Sequence, residues 1–159
     1  IQERGYTGET KIKAIRLFHD QLQDFEFTYS DEKGTISRFS MPQHYLYDPD
    51  VAISKAGAFK IVGKYFGLGK LHQHAHLYTS DKFIPEFPGR IFEIIEVIPY
   101  GNFKKNNPYP QANVATRNFP DKVELIRKKH KIKDGGQIYL FFTTDINNNY
   151  IAIACRRLR

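Results

Sequence analysis

The chain of 159 residues carries 24 Lys and Arg against 17 Asp and Glu, which gives a formal net charge of +7 at neutral pH. This length suits one folded domain, and the single cysteine, Cys155, excludes an internal disulfide framework and a multi-cysteine zinc site. The sequence has no run of about 18 apolar residues that could cross a membrane and no secretory leader at its start, so we expect a cytoplasmic protein with no membrane partner.

The basic residues are concentrated in two segments that contain no Asp or Glu. The first lies between Asp50 and Asp81, and the second is Val97–Pro120. Together they contain Lys55, Lys60, Lys64, Lys70, Lys104, Lys105 and Arg117. Because clustered cations attract phosphate groups, nucleic acid is the expected partner. A basic surface that serves only solubility is the alternative.

Two β elements are predicted near the start of the chain. Thr10–Phe18 (TKIKAIRLF) is rich in β-branched and large apolar residues and predicts a strand. In Phe25–Phe39, aromatic residues alternate with other residues on both sides of a glycine-containing turn, and this pattern predicts a β-hairpin.

A helix is predicted over Asp48–Gly67. The segment opens with Asp48 as a potential cap and Pro49 at a first-turn position, and its apolar residues recur at helical spacing. Gly57 and Gly63 weaken this prediction, since each glycine costs a helix about 1 kcal/mol relative to Ala.

A strand is predicted over Lys70–Thr79, where polar and apolar residues alternate. This alternation turns three histidines toward one face, roughly 7 Å apart, and apolar residues toward the other. The histidines are His72, His74 and His76. The face that they form is the first candidate for a functional site.

The second half of the chain predicts a strand, a helix and a hairpin. The strand is Arg90–Ile98, and the helix is Phe119–Lys131, with acidic residues in its first turn and basic residues in its last, as the helix dipole favours. Gln137–Cys155 predicts a hairpin that is hydrophobic on both faces and therefore central in its sheet. Six or seven strands, mostly in hairpins, with two helices predict an α+β protein, mostly β, with an antiparallel sheet or small barrel.

Two of the histidines allow a metal site. The sequence HAH, at residues 74–76, looks like the His-hydrophobic-His motif of HUH single-strand nucleases, in which the histidines bind a divalent metal beside a nucleophilic tyrosine. The predicted helix that follows carries no tyrosine, and no acidic residue follows His76 before Asp81. A metal-dependent HUH-like nuclease that uses His74 and His76 is therefore an alternative, and we assign to the chain no catalytic residue, no metal and no cofactor.

A nucleic-acid recognition surface is the interpretation that we favour. Lys70, Gln73 and the histidines can donate to base edges and phosphates. The glycines of Phe66–Lys70 (FGLGK) let the backbone approach a phosphate closely. The remaining interpretation is that the histidines are half-exposed strand residues without a ligand.

Three segments resemble the B3-like DNA-binding domains of bacterial restriction endonucleases, of the type found as effector domains in Type IIE enzymes. Arg4–Phe18 is similar to the first arm of that family, Lys64–Asp81 to its second arm, and Gln137–Asn149 to its late strand and polar turn. The resemblance implies an antiparallel β-pseudobarrel with two short helices, in which residues 1–159 form a single domain of a longer protein. It also implies a domain without enzymatic activity that binds double-stranded DNA sequence-specifically and precedes a C-terminal nuclease domain.

The resemblance also assigns the DNA contacts. They are Arg4, Thr7 and Lys11 on the first arm, Lys64, Lys70, His72, Gln73, His74 and His76 on the second arm, and Lys104, Lys105, Asn106 and Asn107 at phosphates or at the rim. The wider group of small nucleic-acid-binding barrels offers a third alternative, a PUA-type reader of modified nucleic acid. Its aromatic pocket would draw on Tyr100, Phe103 and Tyr109.

Overall fold

Local sequence preferences produce nine strands and five short helices in residues 9–159, the part of the chain that the computed structural model describes. The strands are β1 (Lys11–Phe18), β2 (Gln21–Thr28), β3 (Tyr45–Pro49), β4 (Gly69–His72), β5 (Ala75–Ser80), β6 (Gly89–Pro99), β7 (Asn113–Arg117), β8 (Ile138–Thr144) and β9 (Tyr150–Arg157). The helices are α1 (Tyr29–Gly34), α2 (Val51–Ala56), α3 (Ile61–Phe66), α4 (Tyr100–Lys105) and α5 (Val123–His130). None of these helices is long and apolar enough to span a bilayer.

Two sheets are formed in the described part of the chain. β1 and β2 form a separate antiparallel pair, and the other seven strands form one sheet in the order β4-β5-β3-β6-β9-β8-β7. Neighbours in the large sheet are antiparallel except β7 and β8, which run parallel because the crossover through α5 returns the chain to the starting end of β7. The α+β class, mostly β, is therefore confirmed. The sheet is not closed, so the predicted pseudobarrel is not found, and five helices replace the predicted two.

The core lies on both faces of the large sheet. On one face, Leu46 and Phe141 belong to a buried cluster built from strand residues alone. On the other face, α2, α3 and the β1–β2 pair cover the half around Tyr47, while α4 and α5 cover the half around Phe142. Because side chains alternate between faces along a strand, β9, which is buried over residues 151–155, contributes to both cores.

The large sheet curls so that its two edges approach each other. β5, beside one edge, lies against β7 at the other edge, and His72 at the end of β4 contacts Asn118 just after β7. No backbone ladder joins the edges within the described residues, so the sheet stays open. The curl brings together the loops at this end of the sheet and positions the candidate site.

Several predicted elements are confirmed to within a few residues. The strand at Thr10–Phe18 is β1, the strand at Arg90–Ile98 is β6, and the helix at Phe119–Lys131 is the shorter α5. The hairpin at Gln137–Cys155 is β8 and β9, and β9 lies between β6 and β8 as a central strand. The prediction contains neither α4 nor β7, because their short, Asn- and Pro-rich surroundings show no clear periodicity.

The prediction of a hairpin over Phe25–Phe39 is wrong. β2 ends at Thr28, and the predicted turn is helix α1. Thr28 Oγ1 accepts a hydrogen bond from Asp31 N at 3.0 Å, and Asp31 Oδ2 accepts one from Thr28 N at 3.1 Å. This reciprocal capping box stabilises a helical turn where the glycine-containing sequence suggests a hairpin turn.

The single helix predicted over Asp48–Gly67 is two helices. Gly57 has a φ of +77° in the left-handed region and ends α2. Asp48 lies in β3 and not at a helix start, and its buried carboxylate accepts hydrogen bonds from Arg90 and Arg117. An acid that resembles a helix cap in the sequence therefore stabilises the sheet.

The single strand predicted over Lys70–Thr79 is a hairpin. β4 ends at His72 and β5 begins at Ala75, so Gln73 and His74 form the turn. Because the chain reverses direction there, the three histidines do not share one strand face.

Candidate nucleic-acid interface

Three polar turns meet at one end of the curled sheet. They are the β4–β5 turn at residues 73–74, the β7–α5 connection beginning at residues 118–120 and the β8–β9 turn at residues 145–149. In the β8–β9 turn, the buried Asp145 carboxylate accepts hydrogen bonds from Asn147 N and Asn149 N, both at 2.9 Å. These bonds close the turn, and the Asn148 side chain reaches across the end of the sheet.

His72 joins all three turns through hydrogen bonds. Its Nε2 lies 2.7 Å from Asn148 Oδ1, and its Nδ1 lies 3.1 Å from His74 N and 3.3 Å from Asn118 Nδ2. Because two N–H groups point at Nδ1, this atom accepts, and Nε2 carries the proton that is donated to Asn148. The His72 ring is thus held in one position and one tautomer.

Around His72 lies an open groove of about 500 Å³, which we call the polar groove. Its lining includes His72, His74, Asn118, Phe119, Asn148 and Tyr150. Phe119 and Tyr150 pack edge to face with their ring centroids 5.3 Å apart, and 46% of the Tyr150 surface is exposed. The polar groove therefore offers amide and imidazole groups beside a ring that a base could stack on.

His74 also lines a second groove of about 700 Å³, the lysine groove. Its lining includes Phe39, Phe59, Lys60, Lys70, Gln73 and His76. His76 stacks on Phe59 with ring centroids 3.9 Å apart and an interplanar angle of 18°. Burial lowers the pKa of His76 to about 4, with further contributions from Lys70 and His74, so this imidazole is neutral at pH 7.

Tyr150 also lines a third groove, of about 570 Å³, together with Met41, Val97, Tyr100 and Lys104. Lys104 Nζ lies 5.2 Å from the centroid of the Tyr100 ring, within cation–π range. His74 joins the polar groove to the lysine groove, and Tyr150 joins it to this third groove. We call the surface formed by these three adjoining grooves the basic track.

The structure brings together most residues of the predicted second arm. Those that line the basic track are Lys70, His72, Gln73, His74 and His76, together with Lys104 from the predicted phosphate contacts. Lys64 lines a smaller adjoining cavity. Lys105 and Asn106 are exposed at the end of α4. The Asn107 amide is occupied within its own loop, where it donates to Tyr109 O and accepts from Tyr109 N.

Of the predicted first arm, Lys11 is the residue that lies within the described part of the chain. Arg4 and Thr7 lie outside it. Lys11 is on β1 in the separate two-stranded sheet, where its Nζ is 3.5 Å from Glu26 Oε1. Lys11 therefore belongs to a different sheet from the strands that carry the histidines.

The sequence analysis missed Asn118, Phe119 and Tyr150 as site residues. Asn118 and Phe119 follow β7, which was not predicted, and Tyr150 was assigned to the apolar strand of a hairpin. The polar turn between β8 and β9 (DINNN) was the available signal, since it contains Asn148. Its contact with His72 depends on the curl of the sheet.

Two alternative sites were predicted, the metal site of the HUH-like nuclease and the aromatic pocket of the PUA-type reader. Among residues 9–159, no group of three or more His, Cys, Asp or Glu side chains is arranged to share a metal ion. In the aromatic pocket of the PUA-type alternative, Phe103 is fully buried in the core, and the Tyr109 hydroxyl donates to Glu96. Tyr100 is the member of that pocket that lines the basic track.

Comparison with protein families matches two consecutive segments of the chain. Residues 45–88 match a ferredoxin-like domain family, and residues 89–157 match a THUMP domain-like family. These segments contain β3–β5 and β6–β9, the two parts of the large sheet, and they meet where β3 pairs with β6. No curated protein matches the chain.

One solved structure is similar over nearly the whole chain. It is that of a candidate methyltransferase from Porphyromonas gingivalis W83, which is 35% identical over 94% of this chain with a TM-score of 0.88. The chain spans 38% of the length of that protein. The likeness therefore extends to sequence as well as fold.

These findings overturn the resemblance to B3-like DNA-binding domains. Neither the matched families nor the solved structure is a restriction endonuclease domain. An effector domain that recognises duplex DNA beside a nuclease therefore has no support. The resemblance rested on three short segments, and glycine-containing arms and polar turns of that length occur in many unrelated β-rich folds. The chain is similar instead to a ferredoxin-like domain followed directly by a THUMP domain-like one.

Proposed function

We propose that this chain is an RNA-binding domain that holds an unpaired strand in the basic track. The observation that carries the proposal is that the three grooves adjoin, since His74 and Tyr150 are each shared by two of them, and that the two outer grooves contain lysines. The similarity of residues 89–157 to a THUMP domain-like family favours RNA as the nucleic acid.

The charge of the basic track supports an anionic strand. Its lysines are Lys60, Lys70 and Lys104, and the carboxylates among its described lining residues are Glu32 and Asp145. Both carboxylates already accept backbone N–H groups: Glu32 accepts from Lys60 N and Ile61 N, and Asp145 accepts within its turn. The Lys70 ammonium donates to Gln73 O and the Lys60 ammonium to Lys33 O, so each keeps further N–H donors for phosphates.

The rings of the basic track support binding of unpaired bases. Tyr150 and Phe39 are each 46% exposed, and they lie in the polar groove and the lysine groove respectively. Single-stranded nucleic acids stack their bases on such rings, and each stack contributes about 1–3 kcal/mol to binding. Bases in a duplex stack on each other and cannot use these positions, so the rings favour a single strand.

We also propose that this chain binds and does not itself catalyse. The Porphyromonas gingivalis protein is described as a candidate methyltransferase, and this chain spans 38% of its length. Methyl transfer by a longer protein containing this chain would belong to segments outside it, with the basic track holding the RNA substrate.

The proposal is tested by fluorescence anisotropy with four labelled ligands of equal length. The ligands are single-stranded RNA, hairpin RNA, single-stranded DNA and duplex DNA, each at about 100 mM salt and at a series of higher salt concentrations. We expect the RNA single strand to bind most tightly. Lys104→Gln should lower the salt slope by about 0.7, the value for one phosphate contact on a single strand. Lys128→Gln, on the exposed side of α5, is the matched control.

Two results would contradict the proposal. One is duplex DNA binding as tightly as the RNA single strand at every salt concentration. The other is RNA binding that neither His74→Ala nor Lys104→Gln weakens relative to Lys128→Gln, because the basic track would then not be the binding surface.

A further inference from the structure

Lys70 is buried without an ion-pair partner. Its residue surface is 4% exposed, and its Nζ donates one hydrogen bond, to Gln73 O at 2.8 Å. No Asp or Glu oxygen in the described part of the chain lies within ion-pair distance of this ammonium. Glu32 is an opposite charge that acts on this ammonium from beyond ion-pair distance. An ammonium group has three N–H donors, and a buried charge without an ion-pair partner is costly. The position therefore calls for an explanation.

The backbone of Lys70 holds the segment that contains Arg38. Lys70 N donates to Arg38 O at 2.8 Å, and Lys70 O accepts from Ser40 N at 3.0 Å, so the segment before β3 is fastened alongside β4. Arg38 Nη2 donates to Gly67 O at 3.1 Å, which fixes the guanidinium at the end of α3. The Arg38 backbone is thus fixed beside Lys70, and its guanidinium is fixed at the end of α3.

A cavity of about 200 Å³ lies between these elements, and we call it the phosphate pocket. Its charged lining residues in the described chain are Arg38, Lys60, Lys64 and Lys70, with no carboxylate among them. Glu32 lies on the adjoining lysine groove, where its oxygens accept from Lys60 N and Ile61 N at 2.8–3.0 Å. The charged residues that line the pocket are therefore all cationic, and Glu32 beside it is already engaged by backbone N–H groups.

We propose that the phosphate pocket and the adjoining edge of the lysine groove form a subsite for a phosphate group, with Lys60 and Lys70, which line both, as its ligands. The inference rests on the proposed RNA binding and deepens it by naming the place where one phosphate is held. A phosphate oxygen could take the remaining N–H donors of Lys70, while Arg38, Lys60 and Lys64 surround the other oxygens. The phosphate could come from an RNA strand or from a free nucleotide, and the two sources share this chemistry.

The subsite is tested first with inorganic phosphate, by thermal unfolding and by titration calorimetry. Phosphate is compared with chloride at equal ionic strength, so that general screening is the same in both. We expect phosphate to raise the melting temperature of the wild-type protein and of the control Lys128→Met. In Lys70→Met we expect phosphate affinity to fall by at least about tenfold.

Lys70→Met should fold, because methionine keeps the apolar stem and removes the unpaired charge. If this variant does not fold, Lys60→Gln with Lys64→Gln provides the same test from the more exposed side of the pocket. A wild-type protein that phosphate stabilises no more than chloride does would overturn the subsite. Equal phosphate binding by the wild type and the pocket variants would overturn it as well.

The source of the phosphate is distinguished with RNA and nucleotide ligands. Single-stranded RNA with a 5′-phosphate, the same RNA with a 5′-hydroxyl, and a nucleoside monophosphate are compared in the wild type and in Lys70→Met. If Lys70→Met binds both RNAs more weakly than the wild type does, the subsite holds an internal phosphate. If affinity falls only for the 5′-phosphorylated RNA, it holds the end of the strand. If affinity falls for the monophosphate alone, it holds a free nucleotide. RNA binding that Lys70→Met leaves unchanged, with no phosphate effect, overturns the subsite and leaves the proposed function standing. Phosphate binding without RNA binding would contradict the proposed function but not the subsite.

Discussion

His72 Nε2 lies 2.7 Å from Asn148 Oδ1, although the two residues are 76 positions apart in the chain. This contact joins the β4–β5 turn to the β8–β9 turn, and the contact of His72 with Asn118 adds the connection after β7. The three turns come from both edges and the centre of the large sheet. The shape of the polar groove therefore depends on a hydrogen-bond network centred on one imidazole.

Removing this network should loosen the groove and weaken RNA binding together. We expect His72→Ala to lower the free energy of unfolding by about 1 kcal/mol through lost hydrogen bonds. Asn148→Ala should cost more, because Asn148 has a φ of +61° in the left-handed region, which alanine adopts less readily than asparagine. In a double-mutant cycle by urea denaturation, we expect a coupling energy of about 0.5–1.5 kcal/mol. Asn147→Ala with His72→Ala is the control pair, because the Asn147 contact in the turn is made by its backbone N–H. Additive effects for His72 and Asn148 would show that the contact does not hold the turns together.

Tyr150 should contribute to RNA binding through its ring. Tyr150→Ala is expected to weaken binding of single-stranded RNA by about 1–3 kcal/mol, the range for one base stacked on an aromatic side chain. Tyr150→Phe keeps the ring and should bind nearly as well as the wild type. Tyr29→Ala removes another exposed ring, on α1, and serves as the control in the same anisotropy measurement. If Tyr150→Phe loses as much affinity as Tyr150→Ala, the hydroxyl and not stacking is responsible.

Asp48 should be among the carboxylates most important for stability. Its side chain is 6% exposed and accepts hydrogen bonds from Arg90 at 2.7 Å and from Arg117 at 3.1 Å. Asp48→Asn leaves two arginines facing each other without a counter-charge and should cost about 3–5 kcal/mol of unfolding free energy. Asp24→Asn breaks an exposed pair with Lys13, whose oxygen–nitrogen distance is 3.6 Å, and should cost less than about 1 kcal/mol. Equal midpoints for the two variants in urea denaturation would contradict the assignment.

His76 should make the stability of the fold dependent on pH in acid. Burial holds its pKa at about 4 in the folded protein, below the ordinary value of 6.5 that it has when unfolded. Between these two values the unfolded chain binds a proton that the folded chain does not, so stability rises with pH across this window and falls as pH drops from 6.5 toward 4.

The measurement is the free energy of unfolding in urea at a series of pH values from 4 to 7, for the wild type and for His76→Gln. Glutamine does not titrate, so the difference in stability between the two proteins should grow in favour of the variant as the pH falls. His19→Gln, on the exposed turn between β1 and β2, is the control for replacing a histidine outside the lysine groove. A constant difference between the wild type and His76→Gln across the window would show that the pKa of His76 is the same in the folded and unfolded protein, which contradicts the prediction.

The local pattern of the sequence was sufficient where neighbouring residues determine the structure. β1, β6 and the β8–β9 hairpin follow from alternating or continuous apolar residues, and α5 follows from the charges at its two ends. The acid-free segments likewise identified most of the lysines of the basic track. In contrast, the Thr28 capping box and the left-handed Gly57 redirect the chain through single hydrogen bonds and single dihedral angles. Neither the capping box nor the left-handed glycine produces a periodic pattern of apolar residues in the sequence.

The sequence by itself determined the α+β class, the basic character of residues 51–80 and the polarity of the turns, because these depend on composition and on side-chain alternation. Only the tertiary structure decided the strand order, the burial of Lys70 and the meeting of His72 with Asn118 and Asn148. These features require segments far apart in the chain to come together when the sheet curls. Hydrogen bonds between such segments form only after the strands have paired, so no local pattern of residues specifies them.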